Sequence, residues 1–109
     1  MSVKIPEGIN GRLIAISQLQ VKPGKEATLE GLLKAVRAKS AHEAGTEIYR
    51  ISKSTDGQTF FVYQEYTDLE AGKKHLSSPE LQKLQEAVFK DVLSAPPQLQ
   101  YFGGMAQFS

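Results

Sequence analysis

Two histidines, four tyrosines and no cysteine leave imidazole, phenol and carboxyl groups as the side chains able to handle protons at a reaction centre. His75 comes first. An imidazole titrates near working pH, as a general base should, and His75 follows Ala71 by four residues, so both project from one side of a helix. The small Ala71 leaves room beside it for a ligand. The same position also suits a helix-end histidine that caps carbonyls or packs against a sheet. Tyr49 and Tyr66 can donate or accept hydrogen bonds to a substrate oxygen, or fill a core or interface as ordinary strand aromatics. Gln64 can orient a ligand carbonyl or meet a partner chain. Neighbouring strand residues point to opposite faces, so either Gln64 and Tyr66 or Tyr63 and Glu65 look into a pocket, not both pairs. His42, beside Glu43 near a helix end, reads as a solvated residue favoured by the helix dipole. It stands 33 positions from His75 with no obvious third ligand, so no metal site is expected. Arg50 suits a cross-strand ion pair, or the neutralising of a carboxylate or phenolate.

The elements that must position these groups can be read along the chain. Residues 1–11 carry Pro6, Gly8 and Gly11 and read as an irregular arm; residues 12–109 read as a single domain. The run RLIAISQLQV from Arg12 to Val21 is a strand that stops at Pro23-Gly24. Lys25 to Ala44 is a helix, with Leu29, Leu32, Leu33 and Val36 on its apolar stripe and Gly45 as a left-handed C-terminal stop. A second strand, TEIYRISKS, ends at Asp56-Gly57, a two-residue hairpin signal. TFFVYQEY follows as an aromatic, β-branched third strand. Thr67 with Glu70 forms a capping box for a short helix to Leu76. Ser78-Pro79 starts another helix, with Leu81, Leu84, Val88 and Val92 as its stripe, until Pro96-Pro97. LQYF is the last strand.

The order β-α-β-β-α-α-β is that of an α+β, ferredoxin-like split βαβ fold: a four-stranded antiparallel sheet with helices on one face. The first strand alternates Leu13, Ala15 and Leu19 with Ile14 and Ile16, so it is apolar on both sides. The face without helices needs a cover, and a second copy is the simplest supplier; a homodimer is expected.

Composition narrows the function classes. Hydrophobic residues make up 40% and charged residues 23% of 109, as in an ordinary globular protein. Thirteen basic residues against twelve acidic ones give a net charge of +1, without the footprint of a binder of nucleic acid or anionic membranes. The absence of cysteine excludes disulfides, thiolate catalysis and iron–sulfur clusters. Met1 to Asn10 has no apolar stretch to serve as a signal peptide, and a cytoplasmic location is expected.

From the third strand onward the chain reads Tyr63-Gln64-Glu65-Tyr66-Thr67-Asp68-Leu69-Glu70-Ala71 and then His75-Leu76-Ser77-Ser78-Pro79. Upstream stand Val21-Lys22-Pro23-Gly24-Lys25, and Glu43-Ala44-Gly45 leading to Tyr49. In order and spacing this resembles the antibiotic biosynthesis monooxygenase family of dimeric α+β barrels, over roughly Arg12 to Tyr101. Two departures stand out: Gln64 holds a position that is usually Glu in the family, and Tyr66 one that is usually Trp. The resemblance implies a cofactor-independent monooxygenase acting with dioxygen on a small hydrophobic, oxygenated substrate of phenolic, quinol-like or polyketide type, with neither cofactor nor metal. His75 would handle the proton, with Tyr49 and Tyr66 as further catalytic groups. Gln64, Phe60, Val62 and Ala71 would line the substrate, since the family register turns Gln64 and Tyr66 to the pocket side with Phe60 and Val62. Relatives also include isomerases of small carbonyl compounds; the alternatives for this chain are a non-catalytic ligand-binding or stress-response barrel and an isomerase of a small hydroxycarbonyl compound. Haem-degrading relatives fit least: their pattern has an Asn in the first strand and a supporting Trp, and this chain has neither.

Overall fold

The computed structural model describes residues 11–87 and 92–103. Residues 1–10 of the arm expected over residues 1–11, and Val88 of the last helical stripe, lie outside the described residues. The elements are β1 (Leu13–Gln20), α1 (Glu26–Ser40), β2 (Thr46–Lys53), β3 (Thr59–Tyr66), α2 (Leu69–Leu76), α3 (Pro79–Ala87) and β4 (Gln98–Gly103). This is the β-α-β-β-α-α-β order read from the sequence. All pairings are antiparallel, in the order β2-β3-β1-β4, which puts the apolar β1 and the aromatic β3 at the centre of a ferredoxin-like sheet. No helix among the described residues is long and apolar enough to cross a membrane.

Register decides which side chains meet the helices. Leu13, Ala15, Ser17 and Leu19 stand opposite Tyr66, Gln64, Val62 and Phe60, so this set shares one face. Leu29, Leu33 and Val36 of α1 pack there with Leu19, Val21, Phe60, Val62, Leu81 and Leu84; each such buried side chain contributes about 1.5–3 kcal/mol. A second, smaller cluster of Leu13, Ala15 and Tyr66, with Leu69, Ala71 and Tyr101 against it, sits at the other end of the same face. The opposite face carries Ile14, Ile16, Phe61, Tyr63 and Phe102 among Gln18, Arg50, Glu65 and Gln100. Phe61 and Phe102 there are 40% and 44% exposed.

Three local readings are corrected by the structure. First, α1 stops at Ser40, four residues before Ala44. The chain then tightens into turns in which the His42 and Glu43 N–H groups donate to the carbonyls of Lys39 and Ser40. Gly45 is not a left-handed stop, since the positive-φ glycines among the described residues are Gly11, Gly24 and Gly57. It is needed for close approach: a Cβ on Gly45 would fall 2.3 Å from the Ala71 Cβ and 3.2 Å from Thr67 Oγ1. Second, the β2–β3 connection is longer than two residues. The Ser54 N–H donates to the Thr59 carbonyl and the Gly57 N–H to that of Ser54. Asp56 stays out of a two-residue turn because its carboxylate accepts from Ser54 Oγ and from the Gln58 N–H. Third, α2 is capped by Asp68, whose side chain accepts from the Ala71 N–H at 2.9 Å. A carboxylate one residue later than Thr67 satisfies an orphan donor of the first turn and adds favourable charge at the helix start.

α3 begins at Pro79, with Ser78 Oγ accepting from the Leu81 N–H. A bulge in β2 between Thr46 and Ile48 frees the Glu47 carboxylate to meet Arg12, which also pairs with Glu65. Arg12 rather than Arg50 is therefore the cation of this corner, and Glu65 accepts further from the Tyr63 hydroxyl at 2.7 Å.

Candidate active site

α2 ends in a run of Lys73, Lys74 and His75. The two lysines are exposed, and His75 turns under the helix onto the sheet, where it is 2% exposed. The turn after α1 brings Glu43 alongside: Glu43 Oε1 lies 2.8 Å from His75 Nδ1 and also accepts from Thr46 Oγ1 at 3.0 Å. Ser40 Oγ, in the last turn of α1, is 3.4 Å from the same nitrogen while its own hydrogen goes to the Val36 carbonyl. The other ring nitrogen, Nε2, is buried and has no hydrogen-bond partner among the described residues. An unmet polar atom of this kind costs about 1–3 kcal/mol, so a fold that keeps one calls for an explanation in its chemistry.

Two phenol rings flank the imidazole. Tyr49 of β2 lies with its centroid 5.7 Å from that of His75, tilted by 50°, and Tyr66 of β3 at 5.4 Å, tilted by 44°. These are favourable aromatic arrangements. Burial pushes both hydroxyls well above the usual tyrosine range, and the Glu43 carboxylate pushes in the same direction; Tyr66 is raised further by Tyr49 and Tyr101. Both phenols are therefore neutral near pH 7 and can donate a hydrogen bond. The Tyr66 hydroxyl gives its hydrogen to Gln64 Oε1, the inward-facing neighbour two residues back.

The structure thus gathers His75, Tyr49, Tyr66 and Gln64 at one end of the helix-covered face. Ala71 lies beside them, but the space next to its methyl group is taken by Gly45 and Thr67. Phe60 and Val62 share the strand face and pack in the larger cluster. Six residues of strand put Phe60 roughly 20 Å from Tyr66. Phe60 instead borders a surface cleft of about 160 Å³ between Lys34 and Arg37 of α1 and Ile51 and Lys53 of β2. His42 is exposed to solvent. Glu43 and Ser40 are the partners that reading the sequence did not single out, because nothing in a separation of 32 or 35 residues signals contact with His75.

A buried imidazole backed by a carboxylate and flanked by two phenols on a ferredoxin-like sheet defines the class: a small α+β protein with a buried histidine–carboxylate pair under its helices. The sequence pattern described as antibiotic biosynthesis monooxygenase matches residues 12–87. The chain belongs to that family. Among solved structures it is similar to Rv0793 from Mycobacterium tuberculosis, with 21% identity over 90% of this chain and 99% of that one and a TM-score of 0.81. PA3566 from Pseudomonas aeruginosa gives 21% identity, 91% and 99% coverage and a TM-score of 0.78. NE2512 from Nitrosomonas europaea, described as a protein of unknown function, gives 26% identity, 91% and 94% coverage and a TM-score of 0.76. No curated protein matches the sequence.

Proposed function

We propose that this protein is a cofactor-independent monooxygenase that oxidises a small hydrophobic phenolic, quinol-like or polyketide-type compound with dioxygen, working as a cytoplasmic homodimer. The observation that carries this reading is His75 Nε2, buried and without a partner among the described residues, on a ring flanked by two neutral phenols and held at its other nitrogen by Glu43. In this class of reaction the substrate supplies the electrons. The protein has to bind an electron-rich ring away from water, take up its proton, and let dioxygen meet the resulting anion.

His75 takes the proton at Nε2, and the Tyr49 and Tyr66 hydroxyls hydrogen-bond the oxygen on which negative charge develops. Gln64 holds the Tyr66 hydroxyl until the substrate replaces it. An activated ring methylene plus one dioxygen then becomes a carbonyl plus one water, with no outside reductant. Entry requires the two phenol rings to turn aside. The apolar sheet face with Ile14, Ile16, Phe61 and Phe102 supports pairing with a second copy, which would remove those side chains from water.

Oxygen uptake with quinols and anthrones, without added metal or flavin, tests the proposal. Turnover is expected, and His75→Ala should lower it by about 10²–10⁴-fold, the usual contribution of a general base. No turnover across a broad panel, or turnover unchanged in His75→Ala, refutes it. The near-complete burial of His75 favours a second reading, a barrel that holds a ligand without changing it. Calorimetric binding with no product formed over hours would select that one.

A further inference from the structure

We infer that Glu43 is the positioning residue of this site: it holds His75 as the Nδ1–H tautomer, leaving Nε2 as a bare proton acceptor, so that the substrate must arrive as a neutral acid and not as an anion. The inference rests on reading His75 as the base.

The hydrogen-bond chemistry on the Nδ1 side leaves little freedom. An ionised carboxylate accepts only, and Glu43 Oε1 stands 2.8 Å from Nδ1. Ser40 Oγ has given its hydrogen to the Val36 carbonyl and turns a lone pair toward the same nitrogen. Nδ1 therefore faces two acceptors and no donor, and the ring hydrogen belongs there. In a neutral imidazole the other nitrogen is then bare, and that nitrogen is the buried, unpartnered Nε2. A carboxylate behind a histidine fixes ring tautomer and orientation in this way at metal sites and in hydrolase triads.

The charges around the ring decide what can be bound. Glu43 comes from the turn after α1, Ser40 from α1, Tyr49 from β2 and Tyr66 from β3, with Tyr101 of β4 against Tyr66. None of these is cationic, and both flanking phenols are held un-ionised partly by the Glu43 charge. While the imidazole is neutral, a substrate that is already an anion would bring a second negative charge beside Glu43 with no cation among these groups to offset it. A neutral phenol or enol instead gives its O–H proton to Nε2. The O–H bond breaks, an N–H bond forms, and the substrate anion rests beside an imidazolium that is itself paired with Glu43. The charge of the enclosure is the same before and after the transfer.

Nitrogen-15 NMR of the two histidine side chains tests this, with exposed His42 as internal reference. In the wild type at pH 8, Nδ1 of His75 should resonate as a protonated nitrogen and Nε2 as a bare one. In Glu43→Gln, an isosteric change, the amide can donate to Nδ1, so the hydrogen should move wholly or partly to Nε2. Oxygen uptake in that variant should fall by about 10²-fold or more, with the KM for a neutral substrate little changed. An Nε2–H tautomer or a persistent imidazolium in the wild type, or an unchanged tautomer in Glu43→Gln, overturns the role of Glu43. Of two probes differing in charge, 2-naphthol should perturb the His75 resonances at lower concentration than 2-naphthoate. Equal or tighter binding of the naphthoate, or no perturbation by either, overturns the substrate class. If the tautomers behave as expected while no phenol is oxidised, the oxygenase reading fails and the role of Glu43 stands.

Discussion

Gly45→Ala is a one-carbon change whose consequence can be worked out from geometry. The added Cβ would stand 2.3 Å from the Ala71 Cβ and 3.4 Å from its Cα, and neither atom belongs to a flexible side chain that could swing away. Relief must come from separating the Gly45 turn from α2, and overpacking of this kind costs about 1–3 kcal/mol. Opposing it is the loss of unfolded-state freedom, which favours Ala over Gly by about 0.4–1 kcal/mol where φ is not positive, as here. The net expectation is a destabilisation of about 0.5–2 kcal/mol, or a Tm lower by roughly 4–8 °C per kcal/mol for a domain near this size. The assay is urea unfolding at fixed protein concentration, so that any dimer equilibrium cancels, in a cycle with Ala71→Gly. The single Ala71→Gly change costs about 1 kcal/mol in helix propensity. The double variant exchanges which partner carries the methyl group and removes the overlap, so it should be more stable than the sum of the singles by about 1–2 kcal/mol. Additive singles, or a Gly45→Ala protein as stable as wild type, would refute the claim that this contact sets the spacing between the Glu43 turn and the His75 helix.

Two further outcomes are expected. Tyr49 and Tyr66 have folded-state pKa values raised above the ordinary value of 10 by burial and by Glu43; the stability this contributes is full below pH 10 and is lost as pH rises beyond it, by about 1.4 kcal/mol per pH unit for each tyrosine. Their tyrosinate absorbance should therefore appear together with the loss of far-ultraviolet circular dichroism, and ionisation of all four tyrosines in a folded protein would contradict the burial argument. On the bare sheet face, Phe61→Asp places an unpaired charge in the proposed dimer interface, a cost of about 3 kcal/mol or roughly 10² in Kd. Sedimentation should find the wild type dimeric and the variant shifted to monomer, while a monomeric wild type or an unaffected variant removes the pairing argument.

The strands were legible in the sequence for a plain physical reason. Period-two alternation and β-branched or aromatic runs such as TFFVYQEY report burial on a pleated surface, and they located β1, β3 and the shared face of Phe60, Val62, Gln64 and Tyr66. The apolar stripe of α1 and the proline start of α3 were equally local signals. The errors fell where one residue type serves two purposes. Gly45 reads as a helix stop from its neighbours, yet what demands glycine there is Ala71, far along the chain. Thr67 with Glu70 fits the capping-box pattern, but Asp68 has the better acceptor one residue on.

His75 could be singled out from residue type and neighbouring motif, because proton chemistry near neutral pH is a property of the side chain itself. What it faces is not such a property. Ser17 and Ser40 are both buried, and nothing local tells which of them reaches a histidine. Only the fold, by ending α1 at Ser40 and letting Gly45 settle against α2, brings the carboxylate of Glu43 within 2.8 Å of Nδ1 and leaves Nε2 without a partner. The sequence alone determined the periodicities and the ionisable groups, because these are local. Tertiary structure decided which nitrogen is held and which is free, because a contact across 32 residues depends on how helices, turns and sheet pack together.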